Sequence, residues 1–293
     1  MFSQNEMFCV KPVSFGFSNV ISDRVAPDHE NIFGKQLSTI DDQNERQKLM
    51  TFLLQQSNDY LEKIQLEKVD TVGLHDVVFG EQPLGDFYFS DMISGLHDIS
   101  STDSILDFGC STGRVIRNLR SAFEFDAYGC DPRLASIEFN KRNFKNVNWF
   151  QNNEAPPIAD SHPTKYDLVF AISVWSHFSE AMALKWFDEF HKLMKKGGKV
   201  IFTTHGTRSI YHFHSKLNKM DDSKAKERLD ILRDGGFHYM PYPKGSDLDS
   251  DHWGMAYISR EWMQTKLSDK WKISEYLPGM AMENQDVYVL KKI

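Results

Sequence analysis

Five short apolar runs, at about 104–109, 125–130, 147–151, 166–172 and 199–205, alternate with helical patterns at 112–123, 132–143 and 178–195. Strands that alternate with helices imply a parallel sheet built of right-handed crossovers. The pattern at 178–195 is the clearest. Phe178, Met182, Phe187, Phe190 and Met194 form one face, the last turn is basic, and Gly197 reads as the C-terminal cap. Two later runs, KWKISEYLPGM and QDVYVLKKI, predict a closing hairpin. The expected fold is therefore α/β, a Rossmann-like open, mostly parallel seven-stranded sheet with an antiparallel edge strand.

Around this sheet the chain divides into an N-terminal extension, 1–83, and a sheet domain, 84–293. Asn44–Leu66 predicts an amphipathic helix. Phe89, Met92, Ile93 and Leu96, at i, i+3, i+4 and i+7, predict a second. Residues 208–234 are helical in pattern, with a break at Asn218 and MDD. GGFHYMPYPKGSDLDSDHWG reads as a long polar and aromatic loop, so 208–256 is expected to be a mobile lid inserted after the fifth strand.

The stretch ILDFGCSTGRVIRNL, Ile105–Leu119, joins the first strand to its helix through an acid, two glycines and a small polar run. Such a turn brings a ligand close to the backbone at the C-terminal end of a strand. About 20 residues on, YGCDPR ends the second strand with Asp131, where an acid can hydrogen-bond a ribose hydroxyl pair. Dinucleotide sites carry G-x-G-x-x-G; this turn has Gly109-Cys-Ser-Thr-Gly113 and places Asp107 inside it. A carboxylate there repels a pyrophosphate and suits an ammonium group. The pair Asp107 and Asp131 points to S-adenosylmethionine. Each also has a plainer reading, Asp131 as a cap for a helix starting at Pro132 and Asp107 as a turn acid.

From Phe87 onward the chain resembles the class I S-adenosylmethionine-dependent methyltransferases, most specifically over Ser104–His205. LDFGCSTGR is similar to the family's D-x-G-x-G-x-G turn, with Ser111 in place of the middle glycine. That departure is tolerable where the backbone is not left-handed. The resemblance implies cofactor contacts from Gly109, Cys110, Ser111, Gly113 and Arg114, and from Asp131 and Pro132 in YGCDP. FQNNEAPPI resembles the segment after the third strand, where Asn152 or Asn153 would meet the adenine amino group. YDLVFAISVWSHFSE resembles the fourth-strand motif lining the methyl-transfer site, with Ser173 and Trp175. LMKKGGKVIFTTHG resembles the L-x-P-G-G turn, with Lys196 for the proline. The tail, with its QDVYVL, resembles members associated with bacterial carbohydrate and surface polysaccharide.

His177 follows the fourth strand, where it can act as general base on an acceptor hydroxyl or hold the loop by hydrogen bonding. His205, at the end of the fifth strand, is a second candidate for the same role. Trp175 either packs on the cofactor or fills the helix–sheet interface. Cys110 and Cys130 read as small packing residues. No metal is expected: His212 and His214 diverge on a helix, and the acidic run near 245–252 lacks calcium-loop positions. Three cysteines without ligand spacing, no 18-residue apolar run and no signal-like start place the expectation in the cytoplasm. A net charge of −7 argues against nucleic acid.

The expected partner is a small-molecule acceptor, with no membrane and with homo-oligomerisation left open. The function so read is methyl transfer to an oxygen of a sugar or related metabolite. The alternatives are a non-catalytic binding or scaffold protein on the same fold, and an N-methyltransferase acting on a small amine.

Overall fold

The computed structural model describes residues 1–3, 83–158, 162, 164–244, 252–282 and 284–293. Nearly all of the N-terminal extension, with the helix expected at Asn44–Leu66, lies outside the described residues. The expected second helix is α1 (Pro83–Leu96). The alternation then runs β1 (Ser104–Phe108), α2 (Arg114–Ala122), β2 (Asp126–Asp131), α3 (Leu134–Asn143), β3 (Asn148–Gln151), β4 (Tyr166–Ala171), α4 (Glu180–Leu193) and β5 (Met194–Thr204). Next come α5 (Thr207–Tyr211), a π-helical turn at His212–Lys216, and α6 (Asp222–Arg233). The last elements are β6 (Phe237–Pro241), β7 (Gly254–Ile258), α7 (Arg260–Leu267), β8 (Trp271–Ala281) and β9 (Gln285–Lys292).

Seven strands form one sheet in the order β3-β2-β1-β4-β5-β9-β8, and β6 and β7 form a separate pair. The pairs β1–β2, β2–β3 and β4–β5 are parallel, while β9 runs antiparallel to both β5 and β8. This is the expected mostly parallel sheet with antiparallel pairing at one edge. With a neighbour on each side, β9 is buried from Gln285 to Leu290, whereas β8 leaves Lys272, Ser274 and Glu275 exposed. No helix among the described residues is long and apolar enough to cross a membrane.

The chain forms two compact units, Lys11–Asn152 and Met1–Val10 with Asn153–Ile293. In the second, Ser179 starts α4 by accepting the Met182 N–H on its hydroxyl. The predicted face is buried, and Phe187 and Phe190 pack on Trp175 at centroid distances of 4.9 and 5.4 Å. Gly197 is not the helix cap. The helix stops at Leu193 because Met194 turns extended and pairs with Tyr166. Gly197, at φ +76°, lies instead in the irregular opening of β5.

The segment after β5 is more ordered than its composition suggests. The expected break is present: Asn218 is left-handed, and Asp221 caps α6 by accepting the Lys224 N–H at 2.9 Å. The expected free loop, however, contains the hairpin β6–β7, with 245–251 outside the described residues. Strand β7 is also stitched to the ends of β4 and β5. Gly254, Ala256 and Ile258 donate their N–H groups to the carbonyls of His177, Ser176 and His205, at 2.9, 2.8 and 2.9 Å. These bonds are long-range in sequence, which is why a local pattern does not announce them. Helix α7 was also not expected, although Ser259 caps it at the Trp262 N–H in an S-R-E-W sequence that carries the signal.

Candidate functional site

In the unit Lys11–Asn152, β1 delivers Asp107 to a turn in which the amides of Gly109, Cys110, Ser111 and Gly113 bond within the protein. The N–H groups of Gly109 and Cys110 both donate to Cys130 O, at 2.9 and 3.0 Å, and that of Gly113 to Cys110 O at 2.8 Å. Ser111 donates its N–H to Asp131 Oδ2 at 2.9 Å, and Asp131 Oδ1 accepts the Arg133 N–H at 2.9 Å. Asp131 is not the helix cap, since α3 opens at Leu134 behind Arg133. Its carboxylate instead ties the first turn to the end of β2.

Ser111 corrects an expectation. It is left-handed, with φ 47°, in the conformation a glycine adopts without penalty. Both of its peptide groups are pinned, the N–H by Asp131 and the carbonyl by Asn140 Nδ2 at 2.7 Å. These bonds offset the strain. The glycines have a second use: a Cβ at Gly113 or Gly129 would lie 2.4 or 2.3 Å from the Trp149 ring. The indole fills that space and anchors its Nε1–H on Phe144 O at 2.8 Å.

Asp107 is buried and accepts the Ile116 N–H in the first turn of α2, whose own cap, Gly113, has no side chain to do so. Burial pushes the Asp107 carboxyl well above the usual range; the Ile116 bond lowers it, the Asp131 charge raises it and Arg114 lowers it. Burial likewise raises the Cys110 and Cys130 thiols, as suits packing residues. Pro132 O accepts Gln151 Nε2–H at 2.8 Å. Asn152 is buried, and Asn153 is exposed. Sequence reasoning missed Asn140, Trp149 and Leu134, the last an apolar side chain 52% exposed just beyond Asp131.

In the other unit, the residues after β4 and β5 meet at the start of β9. Ser173, also left-handed at φ 59°, donates its N–H to Thr203 Oγ1 at 2.8 Å. The hydroxyls of Ser173 and Thr203 donate to Gln285 Oε1 at 3.1 and 2.6 Å. That fixes the amide: Gln285 Nε2 faces His205 Nε2 at 3.4 Å, which must carry the lone pair. His205 Nδ1 then donates to Ala256 O at 3.2 Å. Burial, with His177 nearby, lowers the His205 pKa to about 3. His205 is therefore a neutral structural link rather than a general base. Trp175 has no exposed surface and contacts Phe178, Phe187, Phe190 and Phe202, so it occupies the helix–sheet interface, the second of its two readings.

His177 is half-buried, with Nδ1 2.9 Å from Gly254 O and 2.8 Å from Tyr242 Oη. A carbonyl can only accept, so Nδ1 carries the proton and the basic lone pair is on Nε2. Tyr242 was missed because it lies in the segment read as loop. The His212 and His214 pair gathers no metal set: His214 Nε2 meets Asp222 Oδ1 at 2.7 Å, and no group of three ligating side chains forms among the described residues.

The Gln-Asp pair that opens β9 is thus a cross-link. Asp286 accepts the Gly279 N–H at 2.8 Å and the Tyr276 hydroxyl at 2.9 Å. Burial raises its pKa to about 6, against the pull of these bonds and of Arg208. The native state thus holds a proton that the unfolded chain releases near pH 4. Stability should fall as pH rises from about 4 to about 6, by roughly 3 kcal/mol for a shift of about two units. Asp286→Asn, which stays neutral, should remove that part of the slope in urea unfolding at pH 4.5 and 7. An unchanged slope would assign it elsewhere.

Residues 85–264, more than half of the chain, match the family model described as a methyltransferase domain. The chain belongs to this family of enzymes. It is 24% identical over 131 residues to malonyl-[acyl-carrier protein] O-methyltransferase 1 of Ilyobacter polytropus. That match covers 43% of this chain and 47%, about half, of the relative's length. Among solved structures, magnesium protoporphyrin IX methyltransferase from Synechocystis PCC 6803, with bound SAH, aligns over 85% of this chain and all of its own, at 12% identity and a TM-score of 0.47. An S-adenosylmethionine-dependent methyltransferase from Clostridium acetobutylicum aligns over 65% and 84%, at 14% identity and 0.44.

Proposed function

We propose that this chain transfers a methyl group from S-adenosylmethionine to a hydroxyl of a small polar acceptor, sugar-like in class. One observation carries the cofactor reading. The amides of Gly109, Cys110, Ser111 and Gly113 are spent on protein acceptors, and two carboxylates, Asp107 and Asp131, line the same turn. A phosphate would find these four amides engaged and the Asp131 carboxylate against it. An ammonium-bearing adenosyl ligand fits.

Each Asp131 oxygen accepts one backbone N–H at the end of β2, and the same carboxylate would receive the ribose hydroxyls. Leu134 offers an apolar face to adenine, and Asn152 or Asn153 a polar group. Asp107 would organise the methionine end, with Gly109–Gly113 allowing close approach. S-adenosylmethionine supplies an already activated methyl, so the chain's work is alignment and removal of one proton. His177 is suited to take that proton on Nε2, since Gly254 O holds Nδ1–H. The O-methyltransferase named among the relatives is in keeping with an oxygen acceptor.

Thermal unfolding with S-adenosylhomocysteine and with NAD tests the cofactor. A ligand at about 100 times its Kd stabilises by about 2.7 kcal/mol. S-adenosylhomocysteine should raise Tm and NAD should not. The reverse result, or no shift with either, rules the proposal out.

A further inference from the structure

Arg228 projects from α6 into the apolar cluster of Ile210, Met220, Leu229, Leu232 and Tyr257, and is 8% exposed. Its guanidinium meets two thioethers, Nη1 at 3.3 Å from Met220 Sδ and Nη2 at 3.0 Å from Met240 Sδ. Nη1 also lies 3.4 Å from Tyr257 Oη, and the guanidinium carbon is 5.0 Å from the centre of that ring. None of these groups is negatively charged, and Nε has no partner among the described residues. Thioethers and an aromatic face offset only part of the cost of burying a cation.

A second unsatisfied nitrogen stands nearby. His238 Nε2, on β6, is buried without a partner among the described residues, and its ring lies 6.2 Å from that of Tyr257. Burial and the Arg228 charge lower the proton affinity of His238, which keeps the imidazole neutral. The exposed Glu227 acts on His238 electrostatically and makes no bond to the guanidinium. Tyr257 lies 5.1 Å from His205, and His205 lies 6.2 Å from His177. The uncompensated cation is thus connected to the proposed base through two rings.

We infer that Arg228 receives a carboxylate of the methyl acceptor, with Tyr257 and His238 as neutral donors beside it. The inference rests on reading the His177 side as the acceptor site. A carboxylate is favoured over a phosphate by charge. Among the described residues one permanent cation enters this cluster, and the imidazoles of His205 and His238 are held toward neutrality. One guanidinium matches a monoanion in charge and in bidentate geometry.

Benzoate, a monocarboxylate with a flat apolar body, is the probe, titrated into protein loaded with S-adenosylhomocysteine. Saturable benzoate binding is expected, at least tenfold weaker in Arg228→Gln, with inorganic phosphate not binding and S-adenosylhomocysteine affinity unchanged. Equal benzoate affinity in the variant, no benzoate binding, or preference for phosphate overturns the inference. Failure of S-adenosylhomocysteine to bind would instead undo the methyltransferase proposal. Arg228→Met should melt no lower than the wild type, because it replaces an uncompensated buried cation with an apolar chain of similar length. A fall in Tm of more than about 5 °C would make the guanidinium a structural element and overturn the inference equally.

Discussion

His177→Ala slows methyl transfer by roughly 10²–10⁴ while leaving cofactor affinity nearly unchanged. The expectation follows from the tautomer. With Nδ1–H directed at Gly254 O, the basic lone pair of the ring lies on Nε2. The same ring, with Tyr242, also helps hold β7 against the end of β4, so a slow alanine variant alone does not separate base from brace. His177→Asn makes the separation. Its amide can still donate to Gly254 O, and it lacks a basic lone pair. A base role predicts that Asn is as slow as Ala and that the wild-type rate rises with pH through the imidazole titration. An active Asn variant with a flat pH profile would retire the base. It would also favour an acceptor whose nucleophile needs no deprotonation, such as a neutral amine.

Asp131→Ala should raise the dissociation constant of S-adenosylhomocysteine about ten- to hundredfold, from the loss of charge-assisted bonds worth roughly 1.5–3 kcal/mol. The structure adds a second effect. Asp131 also holds the Ser111 N–H and the Arg133 N–H, so its removal releases a left-handed serine from one of its two restraints. Unfolding in urea should therefore show a loss of about 1–3 kcal/mol even without ligand. Ser111→Gly in the Asp131→Ala background should recover part of that stability, because glycine adopts this φ without strain. It should recover none of the affinity. Calorimetry showing unchanged affinity in Asp131→Ala would remove the ribose assignment.

Much of the sheet was legible because its signals are local. An apolar run of four to six residues between helical patterns reports burial on both faces, and β1 to β4 fall within two residues of their expected limits. The DVYVL run of β9 was legible for the same reason. Gly197 was misread because a basic turn followed by glycine is a sound local stop signal, and pairing of Met194 with Tyr166 ends the helix three residues earlier. Strand β6 was hidden because FHYMP mixes polar and aromatic residues, and its order comes from β7, more than ten residues away.

The site divides along the same line. Sequence by itself determined the acids: Asp107 and Asp131 stand at the ends of β1 and β2, and strand ends are readable from a chain of letters. The packing reading of Cys110 and Cys130 likewise came from sequence, and both are buried in the structure. Only the tertiary structure decided what each group bonds to. His177 and His205 look alike in sequence, each a histidine just past a parallel strand. Burial and the hydrogen bonds of Gln285 and Ala256 commit one as a neutral link, while Gly254 O leaves the other's Nε2 as the basic nitrogen. Proton affinity depends on solvent exclusion and on partners brought together from distant segments, and neither is a property of a residue's neighbours in sequence. Arg228 makes the same point. In an amphipathic helix it reads as one more solvated charge, and only folding encloses it among methionines with no acid in contact among the described residues.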